Sequence, residues 1–120
     1  MRLADGTLGP VQGFAWLETL WATIQARARA RPEGSYTARL LAAGVDGPAR
    51  KVAEEATEVL MAAKDDDVAQ RDGSGVARAA TREALTGEVA DLAYHALVLL
   101  AERGLPPSSV IARLRERHAR

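Results

Sequence analysis

The sequence contains no cysteine, which excludes a disulfide framework and any thiolate-ligated metal site. It has no excess of charge either, because 16 Lys and Arg balance 16 Asp and Glu over 120 residues. The electrostatic footprint of a nucleic-acid-binding or membrane-surface protein is therefore missing. Long apolar runs are missing too: no stretch reads as the ~20 apolar residues of a membrane span, and MRLADGTLGPVQGFAWLETL at the start has no continuous apolar signal region. The expectation is a soluble, unprocessed, cytoplasmic protein that binds its ligand locally. Aromatic residues make up 4% and β-branched runs do not occur, whereas alanine and leucine abound. That balance favours helix almost throughout, and no sheet is expected.

The length suits one domain, read here as residues 14–120 behind an N-terminal tail over 1–13, and small enough that a second copy would supply part of its burial. A first helix is expected from about Phe14 to Ala30, with Trp16, Leu17, Leu20, Trp21 and Ile24 at helical spacing. It should stop before Pro32, since the residue preceding proline avoids the α region. Ser35 or Thr37 then caps a short helix through Leu41, ending at Gly44. A second long helix is expected from Pro48 to about Lys64, with Val52, Ala56, Val59, Leu60 and Ala63 as its apolar stripe. KDDDVAQRDGSGVARAATREA reads as a loop with at most a helical turn, making 65–82 a long connection. The third long helix should begin at Ala77 or Thr81 and close at Arg103. Ser108 or Ser109 is expected to cap a last helix with Val110, Ile111 and Leu114 facing inward.

Within this pattern the acids stand out. VAEEATEV places Glu54, Glu55 and Glu58 on the second helix, and GEVADLAYH places Glu88, Asp91 and His95 on the third. Side chains three apart leave the same side of a helix, so each helix presents an acidic pair: Glu55 with Glu58, and Glu88 with Asp91. Glu54 points away from the apolar stripe. Either motif alone is also what an ordinary solvated face looks like. Together, on two helices that each need a packing partner, the four carboxylates would converge, repel and titrate upward unless a cation lay among them. A hard divalent ion such as Mg²⁺ answers that, because it takes oxygen ligands and bridges carboxylates to phosphates. Iron and zinc fit less well, with histidine at only two positions and no repeated Glu-x-x-His.

Taken together, GSYTARLLAAG, KVAEEATEVLMAAK and GEVADLAYHALVLLAERGL resemble the phosphoribosyl-ATP pyrophosphatases, the histidine-biosynthesis branch of the all-α, MazG-like nucleoside-triphosphate pyrophosphatases. The resemblance runs from about Leu17 to His118. It implies an all-α bundle around an antiparallel long-helix hairpin, completed by dimerisation. It also implies Mg²⁺-dependent hydrolysis of phosphoribosyl-ATP to phosphoribosyl-AMP and pyrophosphate. Residue by residue, it makes Glu55, Glu58, Glu88 and Asp91 the metal ligands and gives Glu54 or Glu55 the task of activating water. Ser35, Tyr36, Thr37, Lys51, Lys64 and His95 become candidate substrate contacts. Two alternatives share parts of this pattern: a house-cleaning nucleotide pyrophosphatase of the same superfamily, and a helical interaction module whose acids are only surface. The segment 65–82 looks long for the family.

Overall fold

The computed structural model describes residues 11–73 and 75–119, so most of the expected 1–13 tail lies outside the described residues. Among them there are five helices and no strand: α1 (Trp16–Ala30), α2 (Tyr36–Ala42), α3 (Asp46–Asp72), α4 (Gly75–Glu102) and α5 (Pro107–His118). The all-α expectation holds. Helices α3 and α4 form a long antiparallel hairpin, and α1 and α2 pack across its open end. Both α1 and α2 touch α4, which explains why α4 is apolar nearly all round from Ala90 to Leu100.

The local signals explain most boundaries. Helix α1 starts at Trp16, two residues after Phe14, and ends where Arg31, unable to continue the helix before Pro32, turns left-handed with φ 48° and donates its N–H to the Arg27 carbonyl. Of the two caps considered for α2, Ser35 is the one used: its Oγ accepts from the Ala38 N–H at 3.2 Å. Helix α3 begins at Asp46, so Pro48 sits within its first turn, where no partner is needed for the missing N–H. Gly47 has to be glycine, because a Cβ there would lie 2.4 Å from the Leu40 carbonyl oxygen. Helix α4 closes at Glu102 with Gly104 left-handed (φ 68°) and the Leu105 N–H reaching back to the Leu100 carbonyl at 2.9 Å.

Five expectations need correction. The segment 65–82 is not a loop: α3 runs on to Asp72, α4 starts at Gly75, and Gly73, at φ 73°, makes the turn. Three aspartates in a row look like a break, yet Asp67 pairs with Arg71 at 2.8 Å along α3 and Asp66 pairs with Arg78 at 2.8 Å across the hairpin. Second, the inward stripe of α3 is Val52, Glu55, Val59, Ala62, Asp66 and Ala69, a spacing of three and four; Leu60, at 58% exposure, and Ala56 and Ala63 face out. Third, neither Ser108 nor Ser109 caps α5: Pro106 stands at the cap and Pro107 opens the helix, which suits proline's fixed φ. Fourth, Val110, Ile111 and Leu114 do not face inward; α5 buries no residue in the single chain. By length and composition α4 is apolar enough to cross a bilayer, contrary to the reading of the sequence, though Glu88, Asp91 and His95 lie within it.

The core is small, centred on Ile24 of α1, Leu41 of α2 and Val98 of α4, with Leu20, Leu40, Tyr94 and Leu97 packed around it. Trp16 is exposed at 61% and Trp21 is half-buried, so neither is a core residue in the single chain. What this core does is fix α2 and α4 relative to one another at the end of the hairpin where the acids lie.

Candidate metal centre

Helix α3 turns Glu55 inward at the centre of its buried stripe, and α4 turns Glu88 and Asp91 to meet it. Carboxylate oxygens of Glu55, Glu88 and Asp91 lie within 4.8 Å of one another. Glu58, one turn after Glu55 and itself exposed, comes close enough to Glu55 and Glu88 to share a proton with each. Of the four acids expected from the sequence, Glu55, Glu88 and Asp91 thus converge, and Glu58 stands at their edge.

The electrostatics are those of a site short of positive charge. Burial is the main force raising the Glu55 pKa, followed by Glu58 and then Asp91, with His95 opposing them. Glu88 is pushed up to about 7, chiefly by the hydrogen bond it shares with Glu58 and then by burial and the charges of Glu58 and Glu55. Glu55 is 6% exposed, and its Oε2 and the Oε2 of Glu88 are buried with no hydrogen-bond donor among the described residues. Orphaned carboxylate oxygens are costly. Oxygen-only donors converging from two helices suit a hard divalent cation, so the residues fit such an ion.

A second set of groups stands beside the acids. His95, 6% exposed, places Nδ1 2.8 Å from the Asp91 carbonyl oxygen and 3.9 Å from Glu55 Oε1. A carbonyl only accepts, so Nδ1 carries hydrogen, and Nε2 is hydrogen-bonded with the Tyr36 hydroxyl at 2.9 Å. The Tyr36 ring stands edge-on to His95 and stacks with Tyr94 at 6.2 Å between centroids, with the Arg39 guanidinium 5.8 Å above it. Burial raises the Tyr36 pKa despite the opposing charge of Lys51, so the phenol keeps its proton. Thr37, 4% exposed, bonds the Tyr94 hydroxyl. Thr37 and Tyr94 are 57 positions apart, so local sequence gives no sign of this bond.

The other candidates are placed unevenly. Ser35 is 8% exposed, with its oxygen engaged in capping α2. Lys51 pairs with Glu54 at 3.4 Å, and that contact is the main cause of the raised Lys51 pKa. Glu54 is exposed and outside the cluster, as its direction on the helix had indicated. Lys64 is not brought to the acids: it is exposed and makes no hydrogen bond or ion pair among the described residues. Reading the sequence missed the network of Asp66, Arg78 and Thr81, in which Thr81 Oγ1 donates to Asp66 Oδ1 at 2.8 Å. The only available signal was the continuation of the three-and-four spacing past Ala62.

Fold and site define an all-α protein with an acidic centre clasped between two antiparallel helices. Its relatives narrow that class. A bifunctional histidine-biosynthesis protein, HisIE, of Halalkalibacterium halodurans is 46% identical over 110 residues, covering 92% of this chain and 46% of the relative. A phosphoribosyl-ATP pyrophosphatase of Pelotomaculum thermopropionicum is 45% identical over 101 residues, covering 84% of this chain and 89% of that protein. One from Methylibium petroleiphilum is 42% identical over 107 residues. The chain thus spans under half the length of the bifunctional relatives and most of the length of the single-function ones. Residues 17–118 match the family described as phosphoribosyl-ATP pyrophosphohydrolase, and the chain belongs to that family.

Proposed function

We propose that this chain catalyses Mg²⁺-dependent hydrolysis of 1-(5-phosphoribosyl)-ATP to 1-(5-phosphoribosyl)-AMP and pyrophosphate, the second step of histidine biosynthesis, in the cytoplasm. The observation that carries the reading is the convergence of Glu55, Glu88 and Asp91 within 4.8 Å with two buried oxygens lacking donors. Relatives named for this activity support it.

In this reading Glu55, Glu58, Glu88 and Asp91 hold Mg²⁺. When bound, Mg²⁺ neutralises charge on the phosphate oxygens at the bond being cleaved. The rest falls to the chain. Glu54 or Glu55 accepts the proton of the attacking water, Glu54 from the solvent side of α3 and Glu55 from within the cluster. Lys51 offers a mobile positive charge to phosphate oxygens one turn before Glu55. Tyr36 faces the substrate beside His95, while Ser35 and Thr37, buried and engaged in capping α2 and in bonding Tyr94, hold the start of α2 in place. His95 orients Tyr36 through Nε2 and is itself held by the Asp91 carbonyl. Lys64 has a role only if the substrate reaches beyond the cluster.

A homodimer belongs to the same reading. The chain exposes Val110, Ile111 and Leu114 on α5, which is more apolar surface than a lone small domain covers well.

The test is metal-dependent pyrophosphate release from phosphoribosyl-ATP, with ATP and dATP as competitors, by wild type and Glu55→Gln. Selective release that collapses in the variant supports the proposal. Preference for ordinary nucleotides assigns the house-cleaning activity instead, and no metal-dependent release from any of them ends the catalytic reading.

A further inference from the structure

Beyond Glu58 and Glu88, toward the hairpin turn, the groove between α3 and α4 continues as a cleft of about 340 Å³. Its lining comes from one face of each helix: positions 58, 61, 62 and 65 on α3 and 80, 81, 84 and 88 on α4. Ala62 and Ala84 leave a shallow apolar floor, and Met61 forms an adaptable wall. Every polar side chain in it is an acceptor. Glu58, Asp65 and Glu88 bring carboxylates, and Thr81 has given its one hydroxyl proton to Asp66, leaving lone pairs. Among the described residues, no lysine, arginine or histidine lines the cleft.

This end of the groove is therefore opposite in character to the other, where the Lys51 ammonium stands. Phosphate would meet only repulsion near Asp65. A flat ring carrying N–H groups and positive charge would find apolar surface on its faces and acceptors at its edge. Adenine alkylated at N1 is such a ring: the substituent makes it a much stronger base, so it is cationic near neutral pH and keeps hydrogen on N6, whereas the adenine of ATP is neutral. The three consecutive aspartates divide accordingly. Asp66 is paired with Arg78 and Asp67 with Arg71, but Asp65 makes no hydrogen bond or ion pair among the described residues and lines the cleft.

We infer that this cleft is the nucleobase subsite and that Asp65 determines specificity by pairing with the cationic, N1-substituted adenine. The inference rests on the substrate proposed above. It sets the orientation of the nucleotide across the acidic centre, with the base toward the hairpin turn and the phosphates toward Lys51 and α2.

The experiment measures binding, in Mg²⁺ at neutral pH, of 1-methyladenosine 5′-monophosphate and AMP, neither of which has an anhydride to cleave. Titration calorimetry on wild type, Asp65→Asn and Asp67→Asn reads the ratio of the two affinities. Wild type should favour the methylated nucleotide by roughly tenfold, the scale of one hydrogen bond to a charged group. Asp65→Asn should abolish that preference and Asp67→Asn, which removes the same charge from a paired position, should keep it. Equal binding by wild type, no binding of either nucleotide, or a preference that survives Asp65→Asn overturns the inference. Pyrophosphate release by wild type is assayed separately: its absence refutes the proposed reaction, while the affinity ratio still decides the subsite.

Discussion

His95 Nε2 lies 2.9 Å from the hydroxyl oxygen of Tyr36, a residue 59 positions earlier in the chain. The bond ties α2 to α4 at the edge of the acidic centre, and the Asp91 carbonyl fixes the ring that makes it. His95→Ala removes both bonds, opens a small cavity and leaves the Asp91 carbonyl and Tyr36 hydroxyl to find other partners. A loss of roughly 2–4 kcal/mol is expected from denaturant unfolding. Tyr36→Phe removes one half-exposed hydrogen bond and should cost only about 0.5–1.5 kcal/mol. Its larger effect should be on the KM for the nucleotide, and a KM within twofold of wild type would remove Tyr36 from the substrate contacts.

Glu55→Gln separates stability from metal binding. Glu55 is buried beside Glu58, Glu88 and Asp91, so in the metal-free protein its charge is a cost that the amide does not carry. The metal-free variant should melt at a temperature equal to or above wild type. Saturating Mg²⁺ should raise the Tm of wild type, because a ligand stabilises the state it binds, and should raise that of the variant much less. Scanning calorimetry with Mg²⁺ or EDTA checks both, and equal Mg²⁺ shifts in the two proteins would place the ion elsewhere.

The pH dependence has a defined sign. Glu88 is raised from 4.5 to about 7 in the fold, so the folded state favours the protonated form. That stabilisation is fully present below the ordinary value of 4.5 and is lost as the pH rises through about 7. The metal-free protein should therefore lose stability between about pH 5 and 8, the raised Glu55 acting in the same direction. Since Mg²⁺ competes with the shared protons, its affinity should climb over the same interval. Urea unfolding at several pH values, with and without Mg²⁺, reads both trends; a metal-free protein that gains stability over this range would contradict the electrostatics.

Which features the sequence made legible follows from how local their causes are. The Ser35 cap, the stops at Pro32 and Gly104 and the pairing of Glu55 with Glu58 and Glu88 with Asp91 depend on neighbours within a turn or two, and each was readable. The hairpin beyond Lys64 was not, because what holds it helical includes a contact between Asp66 and Arg78 across the turn. The inward face of α3 was misjudged for a related reason. An apolar stripe was sought, but the buried positions include the acids Glu55 and Asp66, which face partners on α4. Likewise α5 has an apolar face without a partner in the single chain, and intrachain packing cannot explain it.

That unpartnered face yields a prediction about assembly. Val110, Ile111 and Leu114 are 43%, 50% and 49% exposed on one side of α5. In a dimer they are covered, and a lysine there must bury charge or break the contact. Ile111→Lys should shift sedimentation from dimer to monomer at micromolar concentration while leaving the helical circular-dichroism signal near that of wild type, since the side chain supports no intrachain core. The neighbouring Arg113, paired with Glu116 at 3.4 Å and exposed, provides the comparison: Arg113→Ala should leave the sedimentation unchanged. An Ile111→Lys protein that sediments as wild type would exclude α5 from the interface and turn attention to Trp16 and Leu17 at the start of α1, another exposed apolar pair, as the surface that a second copy covers.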